Sequence, residues 1–349
     1  MSTLNNRKPL TPGTLINGYR IINLLGAGSF GLTYSVSHNQ SAILVLKEFF
    51  PDGVVYRDKN NKLKCFEGDE ATRIFNLGSE LFVSEAKNIA SISHPNIMEV
   101  REFFFLNNTN YLVSAFTDGQ SLDKILKTGN QFREWQLNKV CLGIIQGLGF
   151  CHDVKIIHCD LKPSNIIIKN DFSPVIIDFG ASVRLRNGST GNSEMYTEGY
   201  SAPERLSSNS LIGSASDVYS IGAVFFKLIA GRNIELARHR LLKDDQKEIR
   251  SALANASSPA CQWLRLFTEN ALYIDPKERP QLDRKFLLLA QKELQLSLVH
   301  RVEPSEQKNS KRLPFQSPPI TQKSERSGFE KSILLIITGF ILLGLALIP

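Results

Sequence analysis

Apolar and polar positions recur with two different periods along this chain, and the change of period divides it. From Tyr19 the segments YRIINLL, LTYSVS and AILVLKEFF alternate or run apolar over strand lengths, rich in β-branched and aromatic residues, and predict β-strands. One helical pattern interrupts them, LFVSEAKNIASI over residues 81–92, just before His94 and Pro95. After Ser121 the spacing turns helical, as in WQLNKVCLGIIQGLGFCH and DVYSIGAVFFKLIAG. Trp135, Leu137, Val140, Ile144 and Leu148 form a stripe expected to face a core. A β-rich lobe over about 19–113 followed by a helical lobe over about 120–296 predicts an α+β architecture with two lobes.

The ends read differently. Residues 1–18 are polar with two prolines and lack the apolar run of a signal peptide, so they are expected to be an extension outside the folded lobes. Residues 332–348, SILLIITGFILLGLALI, carry no charge. As a helix they reach about 25 Å at ~1.5 Å per residue, near the lower limit for spanning a bilayer. The stretch 297–331 between is Pro-, Ser- and Lys-rich and predicts a flexible tether. Its part from Arg301 to Lys331 holds seven Lys/Arg against four Glu, which puts the linker and the lobes on the cytoplasmic side of a single-pass protein. The other reading of that charge is an ordinary solvated linker.

Over 349 residues, 42% are hydrophobic and 21% charged, which supplies a core and excludes disorder throughout. The net charge of +7 admits nucleic acid, an anionic membrane or a phosphorylated ligand. No aromatic-basic interleaving supports nucleic acid, so none is expected as a partner. Five scattered cysteines with no CxxC pair point to a reducing compartment.

Candidate chemistry begins at Gly26-Ala27-Gly28-Ser29-Phe30-Gly31, behind the apolar strand ending at Leu25. Glycines at this spacing let backbone N–H groups approach a phosphate. A dinucleotide-binding fold would need a helix next, and LTYSVSH alternates like a strand instead. Sixteen residues on, Lys47 follows the apolar run Ile43–Leu46. It either reaches solvent or meets a counter-charge, with a polyphosphate and Glu85 as candidates. His158-Cys159-Asp160-Leu161-Lys162-Pro163-Ser164-Asn165 sets an acid, a cation and an amide between two apolar runs. Asp178 then emerges from Val175–Ile177, thirteen residues after Asn165. Asn165 with Asp178 supplies oxygen ligands of the kind Mg²⁺ prefers, although either alone is also an ordinary turn residue.

In order and spacing these segments resemble the eukaryotic-type (Hanks-type) serine/threonine protein kinases over 19–296, and the run KEFFP at Lys47–Pro51 looks like a subset of bacterial members. The matching positions are the Gly-rich loop, Lys47, Glu85, the loop from His158 to Asn165, DFG at Asp178–Gly180, APE at Ala202–Glu204, Asp217 and Arg279. The resemblance implies the bilobal kinase fold, ATP with Mg²⁺ (or Mn²⁺) as cofactors, and proteins bearing Ser/Thr hydroxyls as substrates. It implies that Lys47, paired with Glu85, holds the ATP phosphates. Asp160 would take or orient the substrate hydroxyl proton, Lys162 would steady the γ-phosphate, and Asn165 and Asp178 would bind the metal. Leu25 to Gly31, Thr33, Val45 and the hinge residues Ala115 and Thr117 would enclose the nucleotide, and Lys162 with Thr197 favours Ser/Thr over Tyr. A bacterial inner membrane becomes the expected location. The small Ser114 at the gatekeeper position is expected to admit bulky adenine analogues.

Cys159 departs from the pattern, since this family usually has arginine there to meet a phosphorylated activation loop. Combined alanine substitution of Ser189, Thr190 and Ser193 is therefore expected to leave most activity intact. A zinc site from Cys151, His152, His158 and Cys159 lacks usual spacing. A catalytically inactive kinase acting as a tethered binding module is the alternative to an enzyme. The sequence does not fix an oligomeric state.

Overall fold

The computed structural model describes residues 7–39, 42–129, 131–185, 196–206, 212–244 and 246–299. The N-terminal lobe carries strands β1 (Leu15–Ile16), β2 (Tyr19–Gly28), β3 (Gly31–His38), β4 (Ala42–Phe49), β5 (Val55–Arg57) and β6 (Leu63–Cys65), helix α1 (Asp69–Ala90), and strands β7 (Val100–Leu106) and β8 (Thr109–Ala115). Six of the strands form one antiparallel sheet in the order β1-β2-β3-β4-β8-β7. The pair β5–β6 forms a hairpin around Asn60-Asn61, where Asn61 takes the left-handed turn conformation at φ 63°.

The strand alternation does its work on both faces. Tyr34, Val36, Leu46, Tyr111 and Val113 are buried in the core of this lobe, and Phe49, Phe82, Ala86 and Leu112 pack where α1 meets the sheet. Phe82, Glu85, Ala86 and Ile89 form the buried face of α1. Gly78 allows the close approach, because a Cβ there would lie 2.7 Å from the Phe49 ring. The helix begins twelve residues before the expected Leu81. Ile74, Leu77 and Leu81 are exposed and blur its apolar face.

The helical lobe continues with β9 (Gly119–Ser121), α2 (Leu122–Lys127), α3 (Glu134–Asp153), β10 (Ile156–Ile157), β11 (Ile166–Lys169), β12 (Pro174–Ile176), β13 (Val183–Arg184), α4 (Ser214–Ala230), α5 (Ala237–Leu242), α6 (Gln246–Asn255), α7 (Gln262–Ala271) and α8 (Arg284–Val299). Leu137, Val140, Ile144 and Leu148 of α3 are buried against α4 and its neighbours. Trp135 departs from the expected stripe. It lies in the first turn, 42% exposed, edge-on to Phe172. The lobes are tied by backbone bonds between Asn96–Met98 and Ile176, which bring the end of α1 to the base of the DFG strand.

The N-terminal extension differs from the sequence expectation. Residues 7–18 are part of the N-terminal lobe, because β1 pairs with β2, and Leu10 and Ile16 are buried in its core. The apolar segment 332–348, most of the basic linker before it, and Ser189, Thr190 and Ser193 lie outside the described residues. Among the described residues no helix is long and apolar enough to cross a membrane.

Candidate active site

The cleft begins at the turn between β2 and β3. Gly28 and Gly31 are register partners, with Ser29 and Phe30 at the tip, so the glycine motif is strand–turn–strand. Gly31 is required by proximity, since a Cβ there would lie 2.6 Å from the Glu48 carbonyl. Leu25 and Phe30 are exposed, and Gly26, Ala27, Gly28 and Ser29 lie beside them in an open stretch. Thr33 on β3 pairs with Lys47 on β4, and Val45 pairs with the buried Ser114 of β8. The Ala115 N–H donates to the Glu99 carbonyl at 2.9 Å, so Ala115 can offer a base only its carbonyl. Thr117 follows in the link to β9, half-buried.

Lys47 stands two residues before the end of β4, opposite α1. Its Nζ donates to Glu85 Oε1 at 3.2 Å and to Asp178 Oδ1 at 2.7 Å, and it lies over the Phe82 ring. Burial disfavours the ammonium, but Asp178 and Glu85 outweigh it and hold the Lys47 pKa above its ordinary value. The nearby Lys47 charge drives Asp178 down to about 2. Burial raises Glu85, against the pull of Lys47. Asp178 sits at φ 59°, a left-handed conformation that Asp tolerates better than most residues, and its side chain is 46% exposed. The next residue, Phe179, is fully buried against the His158 ring at 4.5 Å. The strained turn therefore buries an aromatic anchor and leaves the carboxylate facing the cleft.

The loop after β10 is held from below by Asp217 in the first turn of α4. Its carboxylate accepts the N–H groups of His158 and Cys159, both at 2.8 Å, and lies 3.0 Å from His152 Nε2. These contacts keep the fully buried Asp217 ionised despite burial. Cys159 takes φ 67°, and its carbonyl accepts a hydrogen bond from Arg205. Asp160 follows, nearly buried. Its Oδ2 lies 2.7 Å from Lys162 Nζ, and Asn165 Nδ2 donates to its carbonyl at 2.8 Å. The Thr197 hydroxyl donates to Asp160 Oδ1 at 2.7 Å and accepts from Lys162 Nζ at 3.3 Å. Asp160 thus already accepts a hydrogen bond from an alcohol, the ground-state form of receiving a hydroxyl proton.

Asn165 spends its amide nitrogen on Asp160, and its carbonyl accepts the Ile177 N–H at 2.9 Å. That bond ties the loop to the residue before Asp178. The amide oxygen of Asn165 and the carboxylate of Asp178 are hard donors that fit a cation completing its shell with phosphate and water. Among the described residues no three His, Cys, Asp or Glu side chains gather into a metal site. His152 and His158 place their Nε2 atoms against Asp217 and the Ile177 carbonyl.

Contacts therefore join Lys47, Glu85 and Asp178 in one group and Asp160, Lys162, Asn165 and Thr197 in another, linked through the Ile177–Asn165 bond, while Leu25 to Gly31, Thr33, Val45, Ala115 and Thr117 lie on the strands and link beside Lys47. Two contributors were not foreseen. Arg205, next to the APE glutamate, braces Cys159. Glu48 lies fully buried on the β4 face opposite Lys47, bound by Arg57, Tyr34 and Tyr111. A carboxylate two positions from the buried Leu46 was the available signal for it.

Residues 19–287 match the family described as protein kinase domain. A G-type lectin S-receptor-like serine/threonine-protein kinase of Arabidopsis thaliana is 32% identical over 215 residues, covering 60% of this chain and 22% of the relative. Protein kinase kin1 of Schizosaccharomyces pombe is 32% identical over 235 residues, 65% of this chain and 26% of its own. Cell division control protein 2 homolog 3 of Trypanosoma brucei brucei is 30% identical over 216 residues, 61% of this chain and 63% of its own. This chain thus spans less than two thirds of the length of these relatives. Among solved structures, "PpkA-294 apo form" superposes with a TM-score of 0.68 at 24% identity, over 81% of this chain and 99% of that one, a likeness of fold.

Proposed function

The chain belongs to the protein kinase domain family, and from that premise we propose that it is an ATP-dependent serine/threonine protein kinase. The observation that carries the reading is the convergence of Lys162 and the Thr197 hydroxyl on Asp160. Lys47, already charged and held by Glu85, meets the ATP phosphates, and the amides of the Gly26–Gly31 turn approach them from the sheet side. Asn165 and Asp178 would hold Mg²⁺, which when bound would supply positive charge against the phosphates. Asp160 orients the acceptor hydroxyl and receives its proton, while Lys162 balances charge growing on the transferred phosphoryl group. The hinge carbonyl of Ala115 and the backbone at Thr117 receive the adenine between Val45 and Thr33.

Serine and threonine are the acceptors that Lys162 and Thr197, matched to the serine/threonine kinase pattern, imply, and Thr197 bonds both Lys162 and Asp160. The kinase lobes are tethered to a membrane through 332–348 and face the cytoplasm, a reading supported by the uncharged 17-residue run and the basic residues before it. The test is transfer of γ-labelled phosphate from ATP to a protein acceptor, followed by phosphoamino-acid analysis. Label on serine or threonine is expected; label confined to tyrosine contradicts the reading.

A further inference from the structure

Arg7, the first described residue of the N-terminal arm, lies against the glycine-rich turn. One guanidinium nitrogen of Arg7, Nη2, donates to the carbonyls of Gly28, of Gly31 at 3.0 Å and of Phe50 at 2.8 Å. The two carbonyls between, at the tip of the turn, are also taken. Phe30 accepts from the Phe50 N–H and Ser29 from the Asp52 N–H, both at 2.9 Å. Four consecutive carbonyls, from Gly28 to Gly31, are therefore fixed by groups outside the β2–β3 hairpin.

The arm itself is anchored. The Lys8 carbonyl accepts from Arg57 Nε at 2.8 Å, and the Leu10 N–H donates to the Tyr34 hydroxyl at 3.0 Å. Arg57 and Tyr34 both bind the buried Glu48. Arg7 and Arg57 both lie over the Phe50 ring, at 5.5 and 5.2 Å. A chain of contacts thus runs from the β4 residue beside Lys47, through the arm, to the turn.

A carbonyl and the following N–H share one rigid peptide plane. Fixing the carbonyls of Gly28 and Ser29 therefore aims the amides of Ser29 and Phe30, groups that a phosphate seeks. We propose that Arg7 is a positioning residue for the glycine-rich turn, which with the Phe50–Asp52 backbone preorganises the turn for the phosphates of a bound nucleotide. This rests on the kinase reading. Without the guanidinium the turn samples more conformations and binding must order it, which weakens affinity for phosphates specifically.

The test uses the purified full chain and its Arg7→Ala and Arg7→Lys variants. Affinities for MgADP and for adenosine are measured by calorimetry, with hydrogen exchange at the Phe50 and Asp52 amides. Arg7→Ala is expected to weaken MgADP about fivefold or more, leave adenosine within about twofold, and speed exchange at both amides. Arg7→Lys, which keeps a cation in the carbonyl cage, is expected to recover most of the MgADP affinity. Unchanged or tighter MgADP binding by Arg7→Ala overturns the proposal, and so does equal loss for both ligands, which a merely structural role would produce. If Arg7→Ala does not fold, the parent decides. Its Phe50 and Asp52 amides are expected to be protected without nucleotide, and exchange at unstructured-peptide rates overturns the clamp. A parent that binds neither ligand counts against the kinase reading, while the exchange data still decide the clamp.

Discussion

Asp160 accepts from Thr197 and is paired with Lys162, so one hydroxyl orients both the proton acceptor and the cation beside it. Removing that hydroxyl leaves the Asp160 carboxylate held through Oδ2 alone, by Lys162 and Asn165, and lets Oδ1 shift. Misplacing a catalytic group by about 1 Å can slow a reaction ~100-fold. Thr197→Ala is expected to lower phosphoryl transfer by about 10- to 100-fold at saturating ATP, with ATP affinity little changed, while Thr197→Ser stays within a few-fold of the parent. Steady-state kinetics at varied ATP check this, and a loss confined to ATP affinity contradicts it. Cys159 is held at its backbone by Asp217 and Arg205, while its side chain packs with Ile157, Ala181 and Ile212.

At the scale of elements, the segment after the activation loop is bolted to the far side of the helical lobe by one ion pair. Arg279 Nη1 and Nη2 bind both oxygens of Glu204 at 2.7 and 2.8 Å and also reach the carbonyls of Ala215, Ile274 and, through Nε, Tyr273. Its side chain is fully buried, so removing one partner strands a buried charge and costs about 3–5 kcal/mol. Arg279→Ala is expected to lose that much in a denaturant titration, and Arg279→Lys, without the planar fork, to recover only part. A loss under 1 kcal/mol contradicts it. Legibility followed the kind of bond at each element. The glycine turn, the His158–Asn165 loop and Asp178 were readable because each is a polar cluster between apolar strands. The start of α1 was not, since Ile74, Leu77 and Leu81 face outward. The Arg7 arm was invisible because it binds backbone carbonyls, which leave no trace in side-chain pattern.

Across the whole molecule, the buried His158 and the half-buried His94 set a pH limit. Burial lowers the pKa of His158, against the pull of Asp217 and Asp160, and burial also lowers His94. A histidine held neutral by the fold gives stability that is full above its ordinary pKa of 6.5 and is lost as pH falls towards the depressed value, because the unfolded chain binds the proton more readily. The urea midpoint is therefore expected to fall as pH drops below 6.5; a midpoint that rises there contradicts the burial of these rings in neutral form. The proposed function places phosphoryl transfer between the β2–β3 turn and the loop held by α4. The most direct measurement is ATP-dependent phosphorylation of a protein acceptor by the full chain beside its Asp160→Ala and Lys47→Met variants. The parent is expected to exceed both by at least about 100-fold; equal traces from all three would contradict an enzyme and leave a binding module in its place.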